Sequence, residues 1–242
     1  MKQIKPLLLC LVIILLLVGC QAPPETAESV LQKILAAHDK EGGLQKIQGL
    51  LFHGHVQALT EENQGKLWIL YRHPEKLRVV AELQESKEDR LYLAGEGWTD
   101  NGSGFLKASG MTLDLMKFQT EHLSLTLGLL EGRYQVRLLE AVTEDKPVAL
   151  VLTDVDGLET KISVDPFRWV VRTVEREFEI NGQKAVMAVL YEEYRTVKGV
   201  QLPHRILNFV NGKPVGRTDF TSIQTNPSVP ENIFSAPGDG AR

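Results

Sequence analysis

Residues 168–223 read RWVVRTVEREFEI, Asn181-Gly182, QKAVMAVLYEEYRTV, Lys198-Gly199, VQLPHRILNFV, Asn211-Gly212, KPVGRTDFTSI. X-Gly pairs between alternating runs are the strongest local hairpin signal, because tight two-residue turns need positive φ. Four strands, 168–180, 184–197, 200–210 and 215–223, therefore follow one another as an antiparallel meander. Upstream, Val148–Thr153 and Leu158–Val164 flank Asp156-Gly157 in the same way, and Arg133–Glu140 leads in. Such a meander leaves little room for the long loops of an enzyme.

The first half repeats the period of two. Gly49–Leu59, Lys66–Arg72, Lys76–Leu83 and Arg90–Ala94 read as strands split by turn residues, and Glu96–Asp100 as a short fifth. Lys66–Arg72 is apolar on both faces, so both should be covered. Two stretches break the pattern. Val30, Leu31, Ile34 and Leu35 fall at helical spacing behind the capping candidates Thr26 and Ser29, and Gly42-Gly43 ends that helix. Met111–Leu130, with Leu113, Met116, Phe118, Leu123 and Leu127, reads as one or two more helices. In the tail from Asn226, Ile233 and Phe234 are placed to pin back onto the sheet.

A sheet of about ten strands must curl or close. The expected class is α+β: one large curved antiparallel sheet, an open half-barrel, with an N-terminal helix and a helical insert covering its concave face. No linker or repeat divides residues 26–242, which read as a single domain.

The N-terminus carries the address. Met1–Lys5 holds two lysines, Leu7–Val18 is almost wholly apolar, and Gly19 precedes Cys20. A basic region, a short apolar run and a small residue at the cleavage point describe a secretory signal over 1–19. The run is too short to span a bilayer, which takes about 20 residues. Leu17-Val18-Gly19-Cys20 resembles the bacterial lipobox, in which the Cys is acylated and begins the mature chain. Residues 20–25, with Pro23-Pro24, then form a short lipidated tether.

Loss of residues 1–19 removes Lys2 and Lys5 from 27 basic residues and none of the 31 acidic ones, so the net charge moves from −4 to −6. That balance excludes a general attraction to nucleic acid or anionic headgroups. Membrane attachment must come from the lipid. Cys10 leaves with the signal and Cys20 is spent on acylation, so no disulfide supports the fold.

Catalytic and metal-binding patterns are weak. His53-Gly54-His55 sets two imidazoles on one strand face, a spacing a metal can use, but solvated strand histidines explain it as well. Asp154-Val155-Asp156-Gly157 lacks the distal ligands of a calcium loop and suits a hairpin turn. Asn101-Gly102-Ser103-Gly104 is not a nucleophile elbow. Glu175, Glu177 and Glu179 share a strand face opposite Arg172 and Arg176, as an exposed face would. No catalytic residue, metal or cofactor is assigned, and the chain reads as a non-enzyme. What remains is apolar. Trp68, Leu70, Val79, Leu93, Trp98, Met116, Leu150 and Phe178 are the candidate lining of a cavity between sheet and helices, since ligand pockets are largely apolar and form in barrel mouths.

Motifs in order along the chain also resemble the LolA/LolB superfamily, above all its outer-membrane lipoprotein-sorting relatives. They are the helix ending in Gly42-Gly43, Tyr71-Arg72-His73-Pro74-Glu75-Lys76-Leu77-Arg78, and Gly97-Trp98-Thr99-Asp100. Then come Val164-Asp165-Pro166, Gly199-Val200-Gln201-Leu202-Pro203, Asn211-Gly212, and Asn226-Pro227 through Asn232-Ile233-Phe234. The resemblance implies an open half-barrel whose apolar interior takes acyl chains of lipoproteins or lipids. It implies an anchored protein like the receptor rather than the soluble carrier. Gln21, where Asp would retain a lipoprotein in the inner membrane, then favours the periplasmic face of the outer membrane; the outer face of the cytoplasmic membrane is the alternative. Members of the same fold that sense stress bind a partner protein, so a periplasmic sensor or scaffold is the competing expectation.

Overall fold

The computed structural model describes residues 25–60, 63–140, 146–180 and 182–235. The signal at 1–19, Cys20 with residues 21–24 of the tether, and Asn181 lie outside the described residues. Thr26 opens the first helix, α1 (Ala27–His38). Thr26 Oγ1 accepts from the Ser29 N–H at 3.1 Å, and Ser29 Oγ accepts from the Thr26 N–H at 3.0 Å. This reciprocal capping box satisfies two helix-end donors. At the other end His38 docks the helix. Its Nε2 accepts from the Val171 N–H at 3.2 Å, which leaves Nδ1–H to donate to the Gln201 carbonyl at 3.1 Å. Burial pushes this imidazole down to about 4, so it sits neutral.

After a 3₁₀ turn at Leu44–Lys46 come β1 (Gly49–Ala58), β2 (Asn63–Arg72), β3 (Lys76–Leu83), β4 (Lys87–Leu93), β5 (Glu96–Asp100) and β6 (Leu106–Lys107). Two helices follow, α2 (Gly110–Leu123) and α3 (Leu125–Leu130). The chain then runs through β7 (Gln135–Leu138), β8 (Val148–Thr153), β9 (Glu159–Val164), β10 (Val171–Ile180), β11 (Gln183–Val197), β12 (Val200–Val210) and β13 (Lys213–Thr225). Turns with positive φ at both central residues join β11 to β12, at Lys198-Gly199 (46° and 85°), and β12 to β13, at Asn211-Gly212 (49° and 75°). The hairpins expected from the sequence form there.

All 13 strands lie in one antiparallel sheet, in the order β6-β5-β4-β3-β2-β1-β13-β12-β11-β10-β9-β8-β7. Two meanders thus meet at the β1–β13 pair, and β6 and β7 are its two ends, so the sheet is open. The count exceeds the ten or so read from the sequence. β7 lies within the Arg133–Glu140 lead-in, whereas β6 has two residues, too few for alternation to register.

The sheet must curl. α2 has 14 residues, about 21 Å at 1.5 Å per residue. It packs on both β4 and β10, which stand seven places apart, about 34 Å on a flat sheet. The concave side holds the main core. Leu50, Ile69, Leu77, Leu150, Ile162 and Val174 of the strands meet Val30 and Ile34 of α1, Met116 and Phe118 of α2, and Leu125 to Leu129 of α3. A second cluster lies on the convex side, where Leu70 and Leu91 are covered by Phe234, with Trp68, Trp98 and Ile233 around them. Both faces of β2 are therefore covered, as its composition requires, and the tail does the covering on one of them.

Candidate functional site

Alternation along β2 and β3 turns Leu67, Ile69, Val79 and Ala81 to the concave side. Directly opposed pairs, Leu67 with Ala81 and Ile69 with Val79, make this patch continuous. Phe220 of β13 and Ile206 of β12 extend it. Over it lies the last turn of α2, whose Gln119, His122 and Leu123 share one helix face. Between floor and roof is a cavity of about 270 Å³, opening at the end of the sheet that carries the β1–β2, β3–β4 and β12–β13 turns. Behind it a smaller void of about 40 Å³, sharing His122, Leu123 and Ile206, reaches toward His38 under α3.

Polar residues hold the roof in place, Lys117 and Glu121 on the side away from the cavity and His122 beside it. Arg176 of β10 is 6% exposed. It lies 5.2 Å from the Phe118 ring centre and 2.6 Å, through Nη2, from Glu121 Oε2. Its Nε also donates to Thr160 Oγ1 at 2.9 Å. Lys117 donates to Asp156 Oδ2 at 2.6 Å, with Asp154 Oδ2 at 3.6 Å. Burial raises the Glu121 carboxyl above its ordinary range, outweighing the pull of Arg176 and Lys117. Tyr191 Oη donates to the His122 carbonyl at 2.9 Å and lies 3.0 Å from His122 Nδ1. Burial, reinforced by the charge of Arg176, lowers this imidazole to about 3. It is neutral beside the cavity.

The eight candidate lining residues fall in three places. Val79 is on the cavity wall. Met116, Leu150 and Phe178 are packed in the main core. Trp68, Leu70, Leu93 and Trp98 lie on the convex face with Phe234. The structure does not bring the eight together, because neighbours in a strand face opposite sides of the sheet. His53 and His55 are exposed. Among the described residues, no group of three or more His, Cys, Asp and Glu is placed to hold a metal. The sequence presents Arg176, Asp154 and Asp156 only as strand and turn residues, and Lys117, Glu121 and His122 carry no motif at all. A signal for one existed: Arg176 sits between Val174 and Phe178 on a core-facing register.

No family model matches the chain, and no curated protein does. Solved structures do. A LolA superfamily protein from Nitrosomonas europaea is 18% identical, with a TM-score of 0.56 over 88% of this chain and 98% of that one. A domain described as an outer-membrane lipoprotein-sorting protein, from Vibrio parahaemolyticus, is 11% identical, with a TM-score of 0.55 over 86% and 95%. A DUF1329 family protein from Desulfovibrio piger is 7% identical, with a TM-score of 0.55 over 87% and 98%. At these identities the likeness is one of architecture: the chain has the open half-barrel fold of LolA superfamily proteins.

Proposed function

We propose that this chain is a lipid-anchored periplasmic protein whose concave cavity takes acyl chains of lipoproteins or lipids, in lipoprotein sorting or outer-membrane lipid handling. Residues 26–242 act as one domain on the 20–25 tether after removal of 1–19, with Cys20 acylated. The observation that carries the reading is the cavity itself, a space with an apolar floor roofed by a separate helix. Similarity of fold to a domain described as a lipoprotein-sorting protein supports the same reading. Each CH₂ taken from water contributes about 0.8 kcal/mol, so a whole chain brings on the order of ten. A volume of about 270 Å³ lies just below the usual range for ligand pockets, roughly 300–1,000 Å³. It holds part of a chain, and a longer one requires α2 to shift.

The chain-contacting residues are then Leu67, Ile69, Val79, Ala81, Ile206 and Phe220. The test is native mass spectrometry of the full chain extracted from bacterial membranes. A non-covalent acyl-lipid adduct, absent under denaturing conditions, is expected on the wild type and lost in Ala81→Phe, which fills the cavity. No adduct, or one unaffected by the substitution, overturns the reading. A stoichiometric protein partner retained equally by both forms favours the scaffold alternative.

A further inference from the structure

One wall of the cavity is charged. β4 pairs with β3 so that Arg90 stands opposite Val79 and Glu88 opposite Ala81. Both charged residues therefore sit on the concave face next to the apolar floor, and both line the cavity. Arg90 Nε is buried and makes no hydrogen bond. Glu88 Oε1 lies 3.3 Å away, an ion-pair contact off the line of the N–H. On the roof, Gln119 Oε1 is also buried without a partner. Wall and roof thus each present a buried polar atom without a hydrogen bond, Arg90 Nε having only the misaligned ion pair with Glu88 in place of water, an arrangement that a polar ligand relieves.

We infer that the cavity takes amphiphiles with an anionic head, the chain lying on Leu67, Ile69 and Val79 while a carboxylate or phosphate accepts from the Arg90 guanidinium at the rim. The inference rests on the acyl-chain reading and adds the class of head. A guanidinium suits this task because its planar fork matches two oxygens of a carboxylate or phosphate. The Gln119 amide, turned about its last bond, presents Nε2–H to the same group. Glu88 competes for the guanidinium in the absence of ligand and is exposed enough to yield its place to one.

The experiment measures binding to the full chain in amphipol by native mass spectrometry. The probes are palmitate, hexadecyl phosphate, hexadecanol and inorganic phosphate. Palmitate and hexadecyl phosphate are expected to bind about tenfold more tightly than hexadecanol, the worth of one charge-assisted hydrogen bond. Arg90→Met removes that margin, weakening both anions about tenfold more than it weakens hexadecanol. Glu88→Gln, which frees the guanidinium, tightens both anions and carries the test if Arg90→Met does not fold. Equal binding of anions and alcohol by the wild type overturns the inference. So does an Arg90→Met variant that weakens hexadecanol as much as palmitate, or inorganic phosphate binding as tightly as hexadecyl phosphate. If no chain-bearing probe binds, the acyl-chain reading fails along with it, whereas alcohol binding without discrimination removes only the anionic head.

Discussion

Arg176 Nη2 lies 2.6 Å from Glu121 Oε2, and this contact ties α2 to β10 across the concave face. The pair is a positioning device more than a source of stability. Burial raises the Glu121 carboxyl despite its two cationic neighbours, so desolvation exceeds the attraction, as is common for buried ion pairs. Breaking such a pair still leaves one charge stranded. Arg176→Met alone should cost about 3 kcal/mol in urea unfolding. Arg176→Met with Glu121→Leu should recover most of that loss, and a double variant as unstable as the single would show the pair to be net stabilising.

Two neutral buried histidines make the protein acid-sensitive. His38 is held down to about 4 and His122 to about 3, against an ordinary value of 6.5. As pH falls below 6.5 the unfolded chain takes up both protons and the folded chain does not. Stability present above pH 6.5 is therefore lost toward pH 4, with each histidine contributing up to about 1.4 kcal/mol per pH unit. Glu121, raised in the fold, works the other way and offsets part of the loss. Urea midpoints at pH 7, 6, 5 and 4 should fall in order, and His38→Gln should flatten the slope.

The tail is a structural member. Arg78 pairs with Asp89 at 2.7 Å and donates to the Ile233 carbonyl at 2.8 Å. This places Phe234 over Leu70 and Leu91. Phe234 is 6% exposed, and its truncation to Ala should cost about 3 kcal/mol. The variant should also bind a hydrophobic dye at the uncovered convex cluster, with palmitate binding the same as in the wild type. A variant as stable as the wild type would mean that the tail is not docked in solution.

The fold was far more legible in the sequence than the site, for a physical reason. Period-two alternation and X-Gly turns are local, so β10 to β13 could be read within a few residues, and the apolar back of β2 announced that something must cover it. Pairing of β1 with β13 is not local, and no property of Leu50 or Phe220 encodes it. The same gap explains the candidate lining: Trp68 and Val79 are equally apolar, and only the assembled sheet says that they face opposite ways. Arg90 shows the limit most plainly. Its strand, Lys87–Leu93, is charged at its start, so a charge there reads as solvent-facing until the β3 register sets it beside Val79.

Ligand and fold should be linked. A ligand that binds only the native state stabilises it by about 2.7 kcal/mol at a hundred times its Kd. Delipidated protein should therefore unfold at a lower urea concentration than protein saturated with palmitate. Ala81 lies opposite both Leu67 and Glu88 on the cavity floor. A Phe at that position grows into the void, so its packing penalty should stay below the roughly 1–3 kcal/mol of an overfilled core. Ala81→Phe should fold and show no shift with palmitate. A shift of the same size in both proteins would place the ligand elsewhere, for instance at the convex cluster beneath Phe234.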